Sequence, residues 1–187
     1  MTPSDAPRAA HRANTAEPAW LATVRAAPGP WVVMLCGLTG SGKTRLALEL
    51  ERSLPALRFT IDEWMIAQFG EHMPRDVFED RIRALDALIW DTARRTLALG
   101  VHVVLDAGLW SRTERAAAVA RARAAGATPF VVFLDVPRAE LERRLLKRNA
   151  RRPAGSYEIT PDMLDAFEAR FEPPGDDEGL PLLRVPA

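Results

Sequence analysis

The chain has 187 residues, 48% hydrophobic and 27% charged, and its 25 basic and 25 acidic side chains cancel. That suits one domain, or one domain with a tail, able to bury a full core, and it excludes a whole-chain electrostatic footprint for non-specific nucleic-acid binding. A single cysteine, Cys36, rules out an intrachain disulfide framework, and no apolar run reaches membrane-spanning or signal-peptide character, so a reducing cytoplasm is the expected setting.

In chain order, residues 1–18 are Pro, Ala, Arg and polar residues without periodicity and read as loosely attached. Trp20, Leu21 and Val24 form one apolar face of a short helix that docks on the domain, so residues 1–28 are an extension and residues 29–187 the domain proper. Pro28-Gly29-Pro30 breaks the chain before a first buried strand, Trp31 to Cys36. A helix from Arg45 to Arg52 follows a glycine-rich loop. Leu57 to Ile61 is a second strand, ending in Asp62-Glu63. Phe78, Ile82, Leu85, Ile89 and Leu97 recur at helical spacing and predict a long helix from about Arg75 to Leu99, which Gly100 ends. Val101 to Leu105 is a third strand, ending in Asp106. Ser111 and Glu114 are spaced as a capping box for the next helix, closed by Gly126. Phe130 to Leu134 is a fourth strand, ending in Asp135, and Pro137 opens a helix through Leu141, Leu145 and Leu146. Thr160-Pro161 starts a last helix toward Phe171, and Leu182 to Val185 is a candidate fifth strand. This alternation predicts an α/β fold with a parallel sheet covered on both faces, whose ligands gather at the carboxyl ends of the strands.

The loop itself, Gly37-Leu38-Thr39-Gly40-Ser41-Gly42-Lys43-Thr44, matches G-x-x-x-x-G-K-[ST] at every fixed position and sits between a strand and a helix. Glycines let backbone N–H groups converge on an anion, and the helix adds its positive dipole end. Lys43 supplies a charge for the β- and γ-phosphates and Thr44 a hydroxyl for Mg²⁺. Only two lysines occur in the chain, Lys43 and Lys147, and one of them is here, where a compact ammonium serves better than a guanidinium fork. The bland alternative is a Gly-rich turn with an incidental lysine. No N-K-x-D element for reading guanine is present.

Other candidates follow from placement. Asp106 ends a hydrophobic strand, as the second Mg²⁺-holding acid of phosphate-loop enzymes does, or else it forms a turn. Asp62 is the candidate general base, with Glu63 as fallback and helix capping as the alternative. Arg143, Arg144, Arg148, Arg151 and Arg152 begin on one helix; Arg144 and Arg148, four apart, share a face and suit a lid that closes over a triphosphate, although a solvated basic helix reads the same way. Pro153 to Ser156 is a flexible tip for that lid. His11, His72 and His102 lack metal-ligand spacing, and Asp176-Asp177-Glu178 reads as a solvated acidic turn.

Taken in order, Gly37–Thr44, Asp62 after the second strand, the strand ending in Asp106, and Leu134-Asp135-Val136-Pro137 followed by Glu140-Leu141 and the arginines resemble the small phosphate-loop kinases that include chloramphenicol phosphotransferase, zeta toxins and the 5′-kinase domain of polynucleotide kinase. The resemblance covers about residues 31–172. It implies a three-layer α/β/α P-loop NTPase fold with a five-stranded parallel sheet and an arginine-bearing lid at about 144–160, with ATP and Mg²⁺ as cofactors. It also implies Asp62 as base and Arg144 and Arg148 as lid arginines, Arg148 reaching ATP. Two positions depart from polynucleotide kinases: Met65 stands where they carry a phosphate-gripping arginine, and Ala107-Gly108 where they carry Thr-Asn. Together with Trp64, Met65, Phe69, Phe78 and Trp110 near the expected cleft, this favours a small, partly apolar alcohol as acceptor over nucleic acid. The alternatives are a 5′-hydroxyl polynucleotide or nucleotide-sugar kinase, and a nucleotide-binding switch with slow ATPase activity.

Overall fold

The computed structural model describes residues 17–151, 153 and 155–186. The sequence readings for residues 1–16, His11 included, and for Arg152 lie outside these.

Five strands form one all-parallel sheet in the order β2-β3-β1-β4-β5: β1 (Trp31–Cys36), β2 (Ala56–Thr60), β3 (His102–Gly108), β4 (Thr128–Asp135) and β5 (Leu182–Pro186). Strand β1 is buried along its whole length, the continuous apolar run expected at the centre of a sheet covered on both faces. Its side chains alternate between two cores. Val32, Met34 and Cys36 join Val103, Leu105, Val131 and Phe133 under α4 (Arg75–Ala98) and α5 (Arg112–Ala124), which contribute Ile89, Ala93, Leu97, Ala118, Val119 and Ala122. Trp31, Val33 and Leu35 join Val104 and Val132 beneath α2 (Lys43–Ser53), through Ala47 and Leu50. The short helix α1 (Ala19–Arg25) docks on this second core through fully buried Val24, with Trp20 and Leu21 partly buried beside it.

Two elements differ from the sequence reading. Ile61 opens a helix, α3 (Ile61–Phe69), instead of closing the second strand, so Asp62 and Glu63 occupy a helical first turn where the dipole favours carboxylates. Strand β3 runs past Asp106 to Gly108, because a register shift beside Leu35/Cys36 admits an extra residue: Leu35 pairs with Asp106, but Cys36 pairs with Gly108. The capping box is present, with Ser111 Oγ accepting from Glu114 N at 3.1 Å and Glu114 accepting from Ser111 N at 3.0 Å. Pro161 opens α7 (Pro161–Glu168), which stops short of Phe171. No helix among the described residues is long and apolar enough to cross a membrane.

Candidate active site

The loop between β1 and α2 bends through positive φ at Gly37, Gly40 and Gly42 (142°, 82° and 103°). Space as well as torsion demands glycine at two of them: a Cβ at Gly37 would lie 2.9 Å from the Leu134 carbonyl, and one at Gly40 2.9 Å from Leu145 Cγ. Gly37 N donates to Gly108 O at 3.1 Å, so the end of β3 fixes the start of the loop. Thr39 lies half-buried in the loop, and the buried Ser41 hydroxyl has no hydrogen-bond partner among the described residues. Such an orphaned polar atom in a cradle of backbone N–H groups fits an anion.

Lys43 opens α2, and its ammonium folds back to donate to the carbonyls of Gly37 and Leu38, both at 2.9 Å. Burial lowers its pKa, opposed by Asp106 and Asp62 nearby. One residue on, the Thr44 hydroxyl donates to Asp106 Oδ2 at 2.6 Å, and Thr60 Oγ1 lies 3.4 Å from the same oxygen. Burial raises the pKa of Asp106, against the pull of Lys43 and the Thr44 hydrogen bond. No group of three or more His, Cys, Asp or Glu able to hold a metal occurs among the described residues. Two oxygen donors from Thr44 and Asp106 suit Mg²⁺, which takes few protein ligands and completes its shell with phosphate oxygens and water.

Asp62 faces the same place from α3. Its side chain is accessible at the cleft mouth, yet the walls crowd it, and this desolvation raises its pKa; Asp106 adds to the rise, while Lys43 and Arg148 oppose it. Glu63, the fallback base, is instead bound by Arg58 Nη1 at 3.0 Å, and Arg58 also holds Glu51 and touches Thr60. That pairing was not readable from the sequence, where Arg58 is one arginine among many in a strand.

The arginines divide. On α6 (Arg138–Arg151), Arg143 and Arg144 both bind Glu140, whose carboxyl they hold down at about 2. Arg143 is exposed, as is Arg151. Arg144 also donates to the Ser41 carbonyl at 2.9 Å, bracing the loop from outside. Arg148 turns inward: it donates to the Tyr157 carbonyl at 3.2 Å, and burial lowers its pKa while Asp62 raises it. Asn149 fixes the returning segment by exchanging two hydrogen bonds with the Ile159 backbone, at 2.7 and 3.3 Å. Leu141, Leu145, Ile159 and Leu164 form a third small core under it. The sequence reading missed Tyr157 and Asn149; a lone tyrosine and asparagine in a Pro/Gly-flanked stretch carry no periodic signal.

The apolar residues expected near the cleft also divide. Met65 is fully buried, Trp64 packs edge-on against Phe59 in the first core, and Trp110 lies against Phe167 and Gly108. Phe69 is covered by Arg81, and Phe78 meets Tyr157 edge to face with ring centroids 6.2 Å apart. The acidic turn needs correction: Glu178 is not solvated but bound to fully buried Arg115, its own side chain 2% exposed. His102 accepts from Trp31 N at 3.2 Å within the sheet, and His72 is exposed.

Comparison with known proteins adds the family. A family model described as an AAA domain matches residues 32–174. No curated protein matches the chain in sequence. Among solved structures, Kti12 from Chaetomium thermophilum, in complex with ADP-AlF3, has 19% identity and a TM-score of 0.63, covering 83% of this chain and 88% of its own. The APS kinase CysC of Mycobacterium tuberculosis, in complex with AMPPNP and APS, has 22% identity and a TM-score of 0.52, covering 86% and 90%. A chain of the Pnkp1/Rnl/Hen1 RNA repair complex has 22% identity and a TM-score of 0.60; the match takes in 77% of this chain and only 47% of that one. The five-stranded parallel sheet and the loop Gly37–Thr44 are those of the P-loop NTPase fold. The chain belongs to the AAA domain family.

Proposed function

We propose that the protein transfers the γ-phosphoryl group of ATP to the hydroxyl of a small molecule, with Asp62 as general base. One observation carries the reading: Lys43, Thr44, Asp106 and Asp62, from three separate elements, meet at the carboxyl end of the sheet, with Thr44 bonded to Asp106, Lys43 acting on both aspartates and Asp106 acting on Asp62. Two of the similar structures were solved with ADP-AlF3 and AMPPNP, which supports an adenine nucleotide on the loop.

Each residue then has a task. The loop N–H groups and Lys43 hold the β- and γ-phosphates. Thr44 and Asp106 would hold Mg²⁺, which supplies charge neutralisation on the phosphates when bound. Asp62 accepts the proton of the attacking hydroxyl and fixes its direction. Arg148 neutralises charge that develops on the transferred group, while Arg144 steadies the loop through Ser41. The domain proper starts near residue 29, with α1 as a docked extension.

The test is Asp62→Asn. ATP affinity by calorimetry stays near wild type, while turnover falls by about 10²–10⁴, the range for losing a general base. Near-normal turnover would remove Asp62 from this role.

A further inference from the structure

Two polar atoms in the lid are shielded from solvent and lack any hydrogen-bond partner among the described residues: the Tyr157 hydroxyl and Arg148 Nε. Buried donors of this kind are rare and call for an explanation. Both belong to side chains fixed by other contacts, so neither is free to turn away. Arg148 is held through its Nη2 on the Tyr157 carbonyl, and Tyr157 by the Asn149–Ile159 clamp beyond it and by Phe78 at its ring edge. The same lid segment touches α3 beside the proposed base: a Cβ on Gly155 would stand 3.2 Å from Glu63 Cγ. The Tyr157 phenol is pushed up to about 12 by burial, with Asp62 and Glu71 adding to the rise.

The charges around this spot are mainly acidic. Asp62 and Glu71 act on the Tyr157 phenol, and Asp106 and Glu63 act on Asp62. Of the nearby cations, Arg58 is bound to Glu51 and Glu63, and Arg81 sits over the Phe69 ring beside the Met73 sulfur. Lys43 and Arg148 are the cations that act on Asp62, and the proposed reaction already engages both. A phosphate next to the reacting hydroxyl would therefore meet carboxylates, while Lys43 and Arg148, the cations that act on Asp62 among the described residues, are taken up by the triphosphate.

From this arrangement we infer that the acceptor is an uncharged or cationic polyhydroxy molecule, a sugar or amino alcohol. Its reactive hydroxyl sits at Asp62, a second oxygen accepts from the Tyr157 hydroxyl, and its apolar side lies on Phe78. Phosphorylated acceptors are rejected. The inference rests on the kinase reading and names its substrate class. In the transfer, the O–P bond to the acceptor forms as the bond to the β-phosphate oxygen breaks, ADP leaves, and the hydroxyl proton passes to Asp62.

The experiment uses the full chain with Mg·ATP labelled at the γ-position. Its probes are glucose and glucosamine, each with its 6-phosphate, other uncharged and amino-bearing polyols, and a 5′-hydroxyl oligoribonucleotide. Transfer to unphosphorylated probes, at least about tenfold better in kcat/KM than to phosphorylated ones, is expected. Tyr157→Phe should raise the acceptor KM about tenfold, the value of one hydrogen bond, without changing the KM for ATP. Because the hydroxyl has no partner in the protein, the same variant should melt no lower than wild type. A preference for phosphorylated probes or for the oligonucleotide overturns the substrate class while leaving the kinase reading standing. An unchanged acceptor KM, or a lowered melting temperature, overturns the role of Tyr157. No transfer to any probe by ATP-bound protein overturns the kinase reading, and this inference with it.

Discussion

Two groups of charge lie near the end of β1 and obey different rules. Beside α5, Arg115 is fully buried and paired in a fork with Glu178, at 2.9 Å from Nε and 2.5 Å from Nη2, while its Nη1 donates to the Leu109 carbonyl at 3.1 Å. Glu178 also accepts from Gly175 N, and its carboxyl is held below its ordinary range by Arg115. Every strong donor and acceptor there is matched. At the cleft, Lys43, Asp62 and Asp106 all shift toward their neutral forms, with burial as the leading cause. Asp106 adds to the rise at Asp62. The first group tethers the C-terminal segment to the sheet. The second is held in an arrangement that a bound triphosphate and cation would complete. Burial of charge is thus structural where partners close the set and functional where they leave it open.

The largest effect that would test this contrast is at Arg115. Arg115→Met should leave Glu178 buried without its cation and lower stability by about 3–5 kcal/mol, read by urea unfolding, whereas adding Glu178→Leu should return much of the loss. Equal stability of the single and double variants would show that the pair is not the matched unit described.

A smaller effect concerns pH. A folded-state carboxyl pKa above its ordinary value means that the native protein keeps protons the unfolded chain has released. Asp62 and Asp106 therefore oppose folding as pH rises from the ordinary value of 3.8 through their raised values. Glu178 does the reverse: its lowered pKa gives stability that is present above its ordinary 4.5 and lost as pH falls. Asp62→Asn should accordingly melt no lower than wild type at neutral pH, with only a small gain because Asp62 is open at the cleft mouth. The wild-type kcat/KM should fall on acidification through the raised Asp62 pKa. A clear loss of melting temperature in Asp62→Asn would mean that Asp62 serves the fold.

The smallest effect is chemical. The Cys36 thiol is fully buried, with its pKa pushed up to about 11 by that burial, and it donates to the same Leu109 carbonyl that Arg115 binds. Native protein should resist iodoacetamide, and Arg115→Met should label faster, because the shared carbonyl loses its anchor. Equal labelling of the two would uncouple Cys36 from the ion pair.

Much of this fold was legible because its signals are local. The glycine spacing of Gly37–Thr44, the Ser111/Glu114 capping box, the apolar runs of β1 and β4 and the helical period of α4 each fit within one segment and mark their elements to within a few residues, while the run of β3 was read but not its extension to Gly108. Helix α3 was not read because Ile61-Asp62-Glu63-Trp64-Met65 has no stop signal against the strand before it, and Met65 and Trp64 point into core that the rest of the chain supplies. Partners across long separations were also silent: Arg115 and Glu178 are 63 residues apart. Neither residue type announces burial.

The extra residue in β3 has a use of its own. Because Leu35 aligns with Asp106 while Cys36 aligns with Gly108, the strand skips a beat at Ala107, which is exposed between two buried neighbours. Deleting Ala107 would restore even pairing with Gly108 still opposite Cys36, but it would turn Gly108 to the other face of the sheet, because successive strand residues alternate. The Gly108 carbonyl that receives the first amide of the loop would be turned with it. The irregularity works as a spacer, setting the hand-off from the second acid to the first glycine, so length at this point is constrained more tightly than side-chain identity.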